Sequence, residues 1–217
     1  MSARESFVAP SASAPLHAKW YNPEATAFES GLEDYTPERI EDIVCAAAGM
    51  YGKMPFLTTA LPNGLSATLS FEQAEQQSAH LARYLREALN LHPGAVVAVQ
   101  SPNCISYVIC LLGILRAGLV LSNVNPLYTE AETRRQLLDC KAEVLIGSNL
   151  FADTIEGAVE GTSVRHVVSM SLTDFFPSFQ KAGLDFLLGK VKRMSRPFRI
   201  RHTTMQEALM VGAQFAV

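Results

Sequence analysis

The sequence lacks most of the signatures that would identify a function quickly. It has no strongly basic balance: 18 Lys and Arg stand against 21 Asp and Glu, a formal charge of -3. That argues against a dedicated nucleic-acid binder. No C-x-x-C pair occurs among Cys45, Cys104, Cys110 and Cys140, and no H-x-x-x-H accompanies them, which speaks against a zinc site. The expected state is four buried, reduced thiols. There is no G-x-S-x-G elbow, no H-E-x-x-H and no G-x-G-x-x-G after a strand. The stretch GLDFLLGK (183–190) imitates a Walker loop, but it has one residue too many. It also places Val191 where Ser or Thr is required, and its bulky apolar residues would hide the backbone N–H groups that cradle phosphate. His17, His80, His92, His166 and His202 form no cluster in sequence.

The opening MSARESFVAP has no apolar run of signal-peptide length. One stretch, 105–124, carries Arg116 as its sole charge. A charge near mid-span disfavours insertion by about 2.5–3.5 kcal/mol, and Arg116-Ala117-Gly118 looks like a helix end with a left-handed glycine cap. Helix, turn and buried strand is the expectation there, with a transmembrane span as the alternative.

What is present is the material of a compact α/β fold. The 217 residues are 48% hydrophobic and 18% charged, which excludes a mostly disordered chain. Residues 1–30 are rich in Ala, Ser and Pro and are expected to form an extended arm. Trp20 and Tyr21 suit anchoring of that arm rather than ligand binding. Thr36-Pro37-Glu38 predicts a helix start, with Ile40, Ile43, Val44 and Ala47 on one face and Gly49 and Gly52 ending it. Residues 55–59 and 65–69 flank LPNG as a hairpin.

Ser70 with Gln73, and Thr129 with Glu132, are capping boxes that open helices. The Ser70 helix, second in the chain, repeats apolar or small residues at Phe71, Ala74, Ser78, Leu81, Leu85 and Ala88. A third helix is expected over about 103–117, the Thr129 helix should reach about Cys140, and a short one should cover 150–160. Strands are expected at 95–100, 119–124, 143–147 and, last, 166–170. Strands alternating with helices predict a mostly parallel, layered sheet. Its ligand end would lie at the C-terminal strand ends, near Ser101, Asn123 and Ser148. Asn103 and Asn125 sit there too, though helix capping and loop bonding account for such asparagines.

The tail after 172 differs. Between 181 and 201 it holds Lys181, Lys190, Lys192, Arg193, Arg196, Arg199 and Arg201 against Asp185 alone. Phe175, Phe176, Phe179, Phe186, Leu187 and Leu188 are interleaved with or precede these cations. Such a segment can lie in a membrane interface, with Phe186, Lys190, Lys192, Arg193 and Arg196 as contacts. It can equally pack on its own domain with a solvated basic face. A nucleic-acid contact would show strongly salt-dependent binding and is not expected.

The runs LSFEQAEQQSAHLARYL (69–85), PGAVVAVQSPN and LLGILRAGLVLSNVNPLYT resemble the N-terminal part of the adenylate-forming enzymes. Within them, the likeness is to the bacterial long-chain fatty acid–CoA ligases. Ser70 and Phe71 with the following Glu- and Ala-rich helix match one family motif. Arg116, Ala117 and Gly118, followed by Asn123, Asn125 and Pro126, match a second. The likeness covers roughly residues 36–170, and the combination of motifs is more specific than either alone. The resemblance implies an activity in the parent enzyme. A fatty acid carboxylate attacks the α-phosphorus of ATP to give acyl-adenylate and pyrophosphate, and coenzyme A thiolate then displaces AMP, with Mg²⁺ as the metal.

This sequence departs from the family by lacking its Gly/Thr-rich phosphate loop, adenine-stacking segment, acidic Mg²⁺ and ribose ligands, and C-terminal catalytic Lys. The expectation is therefore an N-terminal scaffold fragment without catalytic, cofactor or metal residues, whose partner is the rest of the ligase chain. Its divisions would be an arm (1–30), a Rossmann-like α/β subdomain (31–171) and a basic extension with the subdomain's truncated end (172–217). Its place would be cytoplasmic, with peripheral contact at the inner membrane. The competing expectation is a free-standing, non-enzymatic α/β module that binds an acyl ligand, a membrane surface or a partner protein.

Overall fold

A computed structural model of the chain describes residues 40–186 and 195–215. Helix α1 runs over Ile40–Tyr51, so the start expected at Thr36 lies outside the described residues. Gly52 ends the helix at a positive φ of 37°. The face expected to be buried is only partly covered: Val44 and Ala47 are half-buried, while Ile40 and Ile43 are exposed.

The hairpin forms as expected. Strand β1 (Pro55–Ala60) pairs antiparallel with β2 (Ser66–Ser70). Gly64 supplies the positive φ of 84° that the LPNG turn needs. Ser70 then caps α2 (Phe71–Arg83) with both bonds of the capping box in place. The Gln73 N–H donates to Ser70 Oγ at 3.2 Å, and the Ser70 N–H donates to Gln73 Oε1 at 2.9 Å. Ala74, Ser78 and Leu81 of its repeat are buried. The helix continues into a wider π-helical turn, Tyr84–Ala88.

Five parallel strands follow: β3 (Val96–Gln100), β4 (Val120–Val124), β5 (Val144–Ser148), β6 (His166–Met170) and β7 (Thr203–Thr204). Their order in the sheet is β4-β3-β5-β6-β7. The connecting helices are α3 (Ile105–Arg116), α4 (Glu130–Cys140), α5 (Ala152–Val159) and α6 (Ser178–Phe186), and α7 (Met205–Gly212) follows β7. This is the layered parallel α/β fold expected.

Successive residues of the strands serve opposite faces. Val97, Val99, Val144, Ile146, Val168 and Met170 join one core with Leu81, Leu85, Ile109, Ile114, Met205 and Leu209. Ala98, Leu145 and Val167 join the other with Leu137, Ile155, Ala158 and Phe198. Apolar residues on both faces explain why these strands read as continuous apolar runs.

Three expectations are corrected. First, β4 is not a buried strand; it is the sheet's edge, with Val120 48% exposed. Second, β6 is not the last strand, because β7 pairs with it and leads into α7. Third, of the four cysteines only Cys110 is buried; Cys45 is exposed, and Cys104 and Cys140 are intermediate. The 105–124 stretch resolves into α3, a turn at Gly118 (φ 69°) and β4. Arg116 is held by Glu75 at 2.6 Å. Among the described residues no helix is long and apolar enough to cross a membrane.

Candidate functional site

In an open parallel sheet, ligands gather outside the C-terminal strand ends, where strand order reverses. Here that point is β3, whose successors β4 and β5 lie on its two sides. The polar side chains at these ends are largely committed to local bonding. Gln100 is fully buried; its Nε2 donates to the Asn125 carbonyl (3.2 Å) and to Thr133 Oγ1 (3.3 Å). Ser101 Oγ donates to the Pro102 carbonyl at 2.8 Å. Asn123 Oδ1 accepts from Tyr107 at 3.3 Å, and Ser148 Oγ accepts from the Leu150 N–H at 3.4 Å. Asn125 Oδ1 accepts from the Leu127 N–H at 2.9 Å, the loop-forming role expected of it. Asn103 is exposed and caps nothing; the N-cap of α3 is Cys104.

A cavity of about 440 Å³ opens at the ends of β5, β6 and β7, lined among others by Asn149, Ser171, Asp174, Lys181, Phe198 and His202. Three of its charged side chains are paired with each other. Lys181 Nζ lies 3.3 Å from Asp174 Oδ1 and 3.3 Å from Asp185 Oδ2. The Ser171 N–H donates to Asp174 Oδ2 at 2.7 Å. Burial pushes the Asp174 carboxyl above its ordinary pKa, against the lowering effect of the Ser171 N–H and Lys181. Among the described residues the one hydrogen bond of the His202 ring is to the Ile200 carbonyl, and none joins it to a lining hydroxyl. Among the described residues no group of three His, Cys, Asp or Glu could hold a metal ion.

Of the residues expected to meet a membrane, Phe186 is exposed on α6. Lys190, Lys192 and Arg193 lie outside the described residues. Arg196 is turned onto α5, where its guanidinium grips Asp153 and Glu156, with Nη1 3.0 Å from Glu156 Oε1. The Arg199 N–H also donates to Glu156. Arg196 hydrogen bonds hold the Glu156 carboxyl down to about 2 and lower Asp153 as well. Sequence reasoning missed this clasp, although Asp153 and Glu156 are three apart on one helix face and opposite in charge to the tail. It also missed α7, which the T-x-x-E box of Thr204 and Glu207 announces.

The profile described as AMP-binding enzyme matches residues 46–197. The chain belongs to the AMP-binding enzyme family. A long-chain-fatty-acid–CoA ligase of Haemophilus influenzae is 36% identical over 149 residues, covering 68% of this chain and 26% of that protein. Its counterpart in Salmonella typhimurium is 34% identical over 164 residues, covering 74% and 28%. The matched region thus spans about a quarter of these relatives' length.

Solved family structures share the fold. A long-chain-fatty-acid–CoA ligase of Archaeoglobus fulgidus superposes with a TM-score of 0.58 at 22% identity, over 65% of this chain and 30% of that one. The A-PCP didomain of a Segniliparus rugosus carboxylic acid reductase, in complex with AMP, gives 0.65 at 15% identity, over 92% and 31%.

Proposed function

We propose that this chain is the N-terminal scaffold portion of an ATP-dependent long-chain fatty acid–CoA ligase. The parent activity is fatty acid, ATP and coenzyme A to acyl-CoA, AMP and pyrophosphate. The observation that carries the reading is the 36% identity to a long-chain-fatty-acid–CoA ligase, which runs over 149 residues. In the parent enzyme ATP, Mg²⁺ and coenzyme A are supplied with sites by other parts of the chain. The residues described here contribute a rigid layer whose strand ends are locked by Gln100, Asn123 and Asn125.

In this reading residues 1–30 are an arm, 31–171 the α/β portion, and 172–217 a basic extension with the end of the same layer. The 217-residue chain alone is inactive. Exposed apolar side chains on α1 and β1, among them Met50, Tyr51 and Phe56, support the scaffold role, because further chain would cover them.

The test is acyl-CoA formation by the native gene product. With palmitate, ATP, Mg²⁺ and coenzyme A it is expected to release AMP and palmitoyl-CoA, while the isolated 217 residues release neither. A native product that releases no AMP with any fatty acid overturns the reading. A second reading, peripheral contact with a membrane through the extension, is favoured by the exposure of Phe179 and Phe186 on α6.

A further inference from the structure

Among the described residues, β4 pairs with β3 alone, which leaves its other side an open edge of the sheet. The strand Val120–Val124 carries no charge, no proline and no register shift against β3. An edge without such features is a template for a further strand. The phase of its bonding is fixed by the Val120 N–H, which donates to the Ala95 carbonyl at 3.0 Å. In a parallel ladder one residue sends its N–H and C=O to one side, and the next residue sends both to the other. Val120, Ser122 and Val124 therefore bond inward to β3. Leu121 and Asn123 direct theirs to the open side.

One of these outward groups is already taken. Gln136 of α4 reaches over the edge, and its Nε2 donates to the Asn123 carbonyl at 2.7 Å. The same amide lies 3.3 Å from Ser122 Oγ. From the other layer, Tyr107 of α3 donates to Asn123 Oδ1 at 3.3 Å. Asn123 is thus held by both helical layers, and the Gln136 amide stands where the backbone of a further strand would run.

The strand that suits this edge is the same edge of a second copy. Set antiparallel about a two-fold axis at Ser122, Leu121 faces Asn123 of the second copy, and each such pair exchanges both of its N–H···O bonds. Ser122 faces Ser122 across the axis, where opposed residues stand closest and small side chains fit. Val120 is 48% exposed and faces Val124 of the second copy, an apolar cross-strand pair. Neither strand brings a charge to oppose the pairing. Half of the backbone bonds in this arrangement need the Asn123 carbonyl, the group that Gln136 occupies.

We propose that Gln136 is an edge guard: by holding the Asn123 carbonyl it keeps β4 from pairing with β4 of a second copy. This goes beyond the ligase reading and does not rest on it.

The experiment traps the pairing covalently in the native gene product. Ser122→Cys, on a Cys45→Ser background that removes the exposed thiol of α1, places a thiol at the two-fold axis. Opposed residues there stand about 4.5 Å apart between Cα atoms, within disulfide reach. With Gln136 in place, mild oxidation should link few chains. Gln136→Met keeps the length of the side chain and removes the donor. It should speed linkage by about tenfold or more, since a carbonyl is released in each copy. Gln136→Ala should do the same. Peptide mapping identifies the link between the two introduced thiols, and near-ultraviolet circular dichroism confirms that each variant is folded.

Linkage that is equally slow with Gln136, Met and Ala overturns the proposal. Linkage that is equally fast in all three also overturns it, because the edge is then open despite Gln136. A rise with Gln136→Ala but not with Gln136→Met would mean that bulk rather than the bond to Asn123 closes the edge, and it overturns the role given to the donor. None of these outcomes bears on whether the product makes acyl-CoA.

Discussion

The backbone N–H of Ile105, at the start of α3, donates to Thr59 Oγ1 of β1 across 2.9 Å, and the two residues are 46 apart in sequence. The α3 N-cap, Cys104, makes no side-chain cap bond of its own. A hairpin side chain therefore satisfies one of the orphan N–H groups that every helix start presents. Thr59 and Ile105 are both buried, so no water stands ready to replace the hydroxyl.

Thr59→Val is expected to destabilise the fold by about 1–3 kcal/mol, the cost of a buried donor left without a partner. Thr59→Ser keeps the hydroxyl and should lose clearly less. Urea denaturation of the two variants checks this. Equal losses would show that packing of the Thr59 methyl, not the hydrogen bond, holds the hairpin to α3.

Gly212 of α7 is pressed against α2. A Cβ at this position would collide with the His80 carbonyl oxygen and crowd the Tyr84 backbone nitrogen at 3.1 Å. Its conformation is helical, so the reason for glycine is the approach of two backbones rather than freedom of φ. Backbone atoms cannot swing aside as a side-chain tip can. Gly212→Ala should therefore cost about 1–3 kcal/mol, the range of overpacking in a filled core, even though alanine is the better helix former. Gly183→Ala meets nothing within 4 Å, and there helix propensity should prevail with a small gain. Opposite signs at two helical glycines, read from thermal or urea unfolding, is the expected outcome.

These two contacts show what was legible in the sequence. The boxes at Ser70 and Thr129 are readable because each closes on a residue three positions away, and both form. Gly118 is readable for the same local reason. The edge position of β4 is not, since strand order is set by which distant strand pairs with β3. The two-residue β7 is too short to carry a period. The α7 box at Thr204 has the same local form as the others, but it lies behind a basic tail that draws attention to charge. Arg196 looks like a free cation in sequence because its partners, Asp153 and Glu156, lie 43 and 40 residues upstream. The candidate site suffers most from this: polar residues named at the strand ends proved to be the glue of the loops.

Thiol chemistry separates the cysteines in a way the sequence did not suggest. Cys45 is exposed on α1, and Cys110 is fully buried in α3, where burial pushes its thiol well above the ordinary range. The reactive species is the thiolate, so burial and the raised thiol both hold Cys110 back, while Cys45 is open to the reagent. A disulfide reagent at neutral pH should label Cys45 first. Cys110 should react only through opening of the fold, with a rate that falls as stability rises. Cys45→Ser removes the fast phase if the assignment is right; a fast phase that survives this change would refute it.

Acid should loosen the clasp between α5 and the 195–202 segment. Arg196 hydrogen bonds hold Glu156 down to about 2, from an ordinary 4.5. A carboxylate with a depressed folded-state value stabilises the fold fully above about 4.5 and loses that contribution as pH falls through 2. Asp153 is lowered by the same arginine and acts in the same direction. Asp174 has the opposite sign. Its folded value is raised by burial, so its effect favours the fold below the ordinary aspartate value and is lost as pH rises through the raised one. Urea midpoints measured across pH should thus fall steeply from about 4.5 downward in the parent. Glu156→Gln should start lower near neutral pH and show a shallower fall. Asp174→Asn should leave the acid limb intact and flatten any decline above it. A parent protein whose midpoint is flat between pH 5 and about 2 would show that the Arg196 clasp contributes nothing to the folded state.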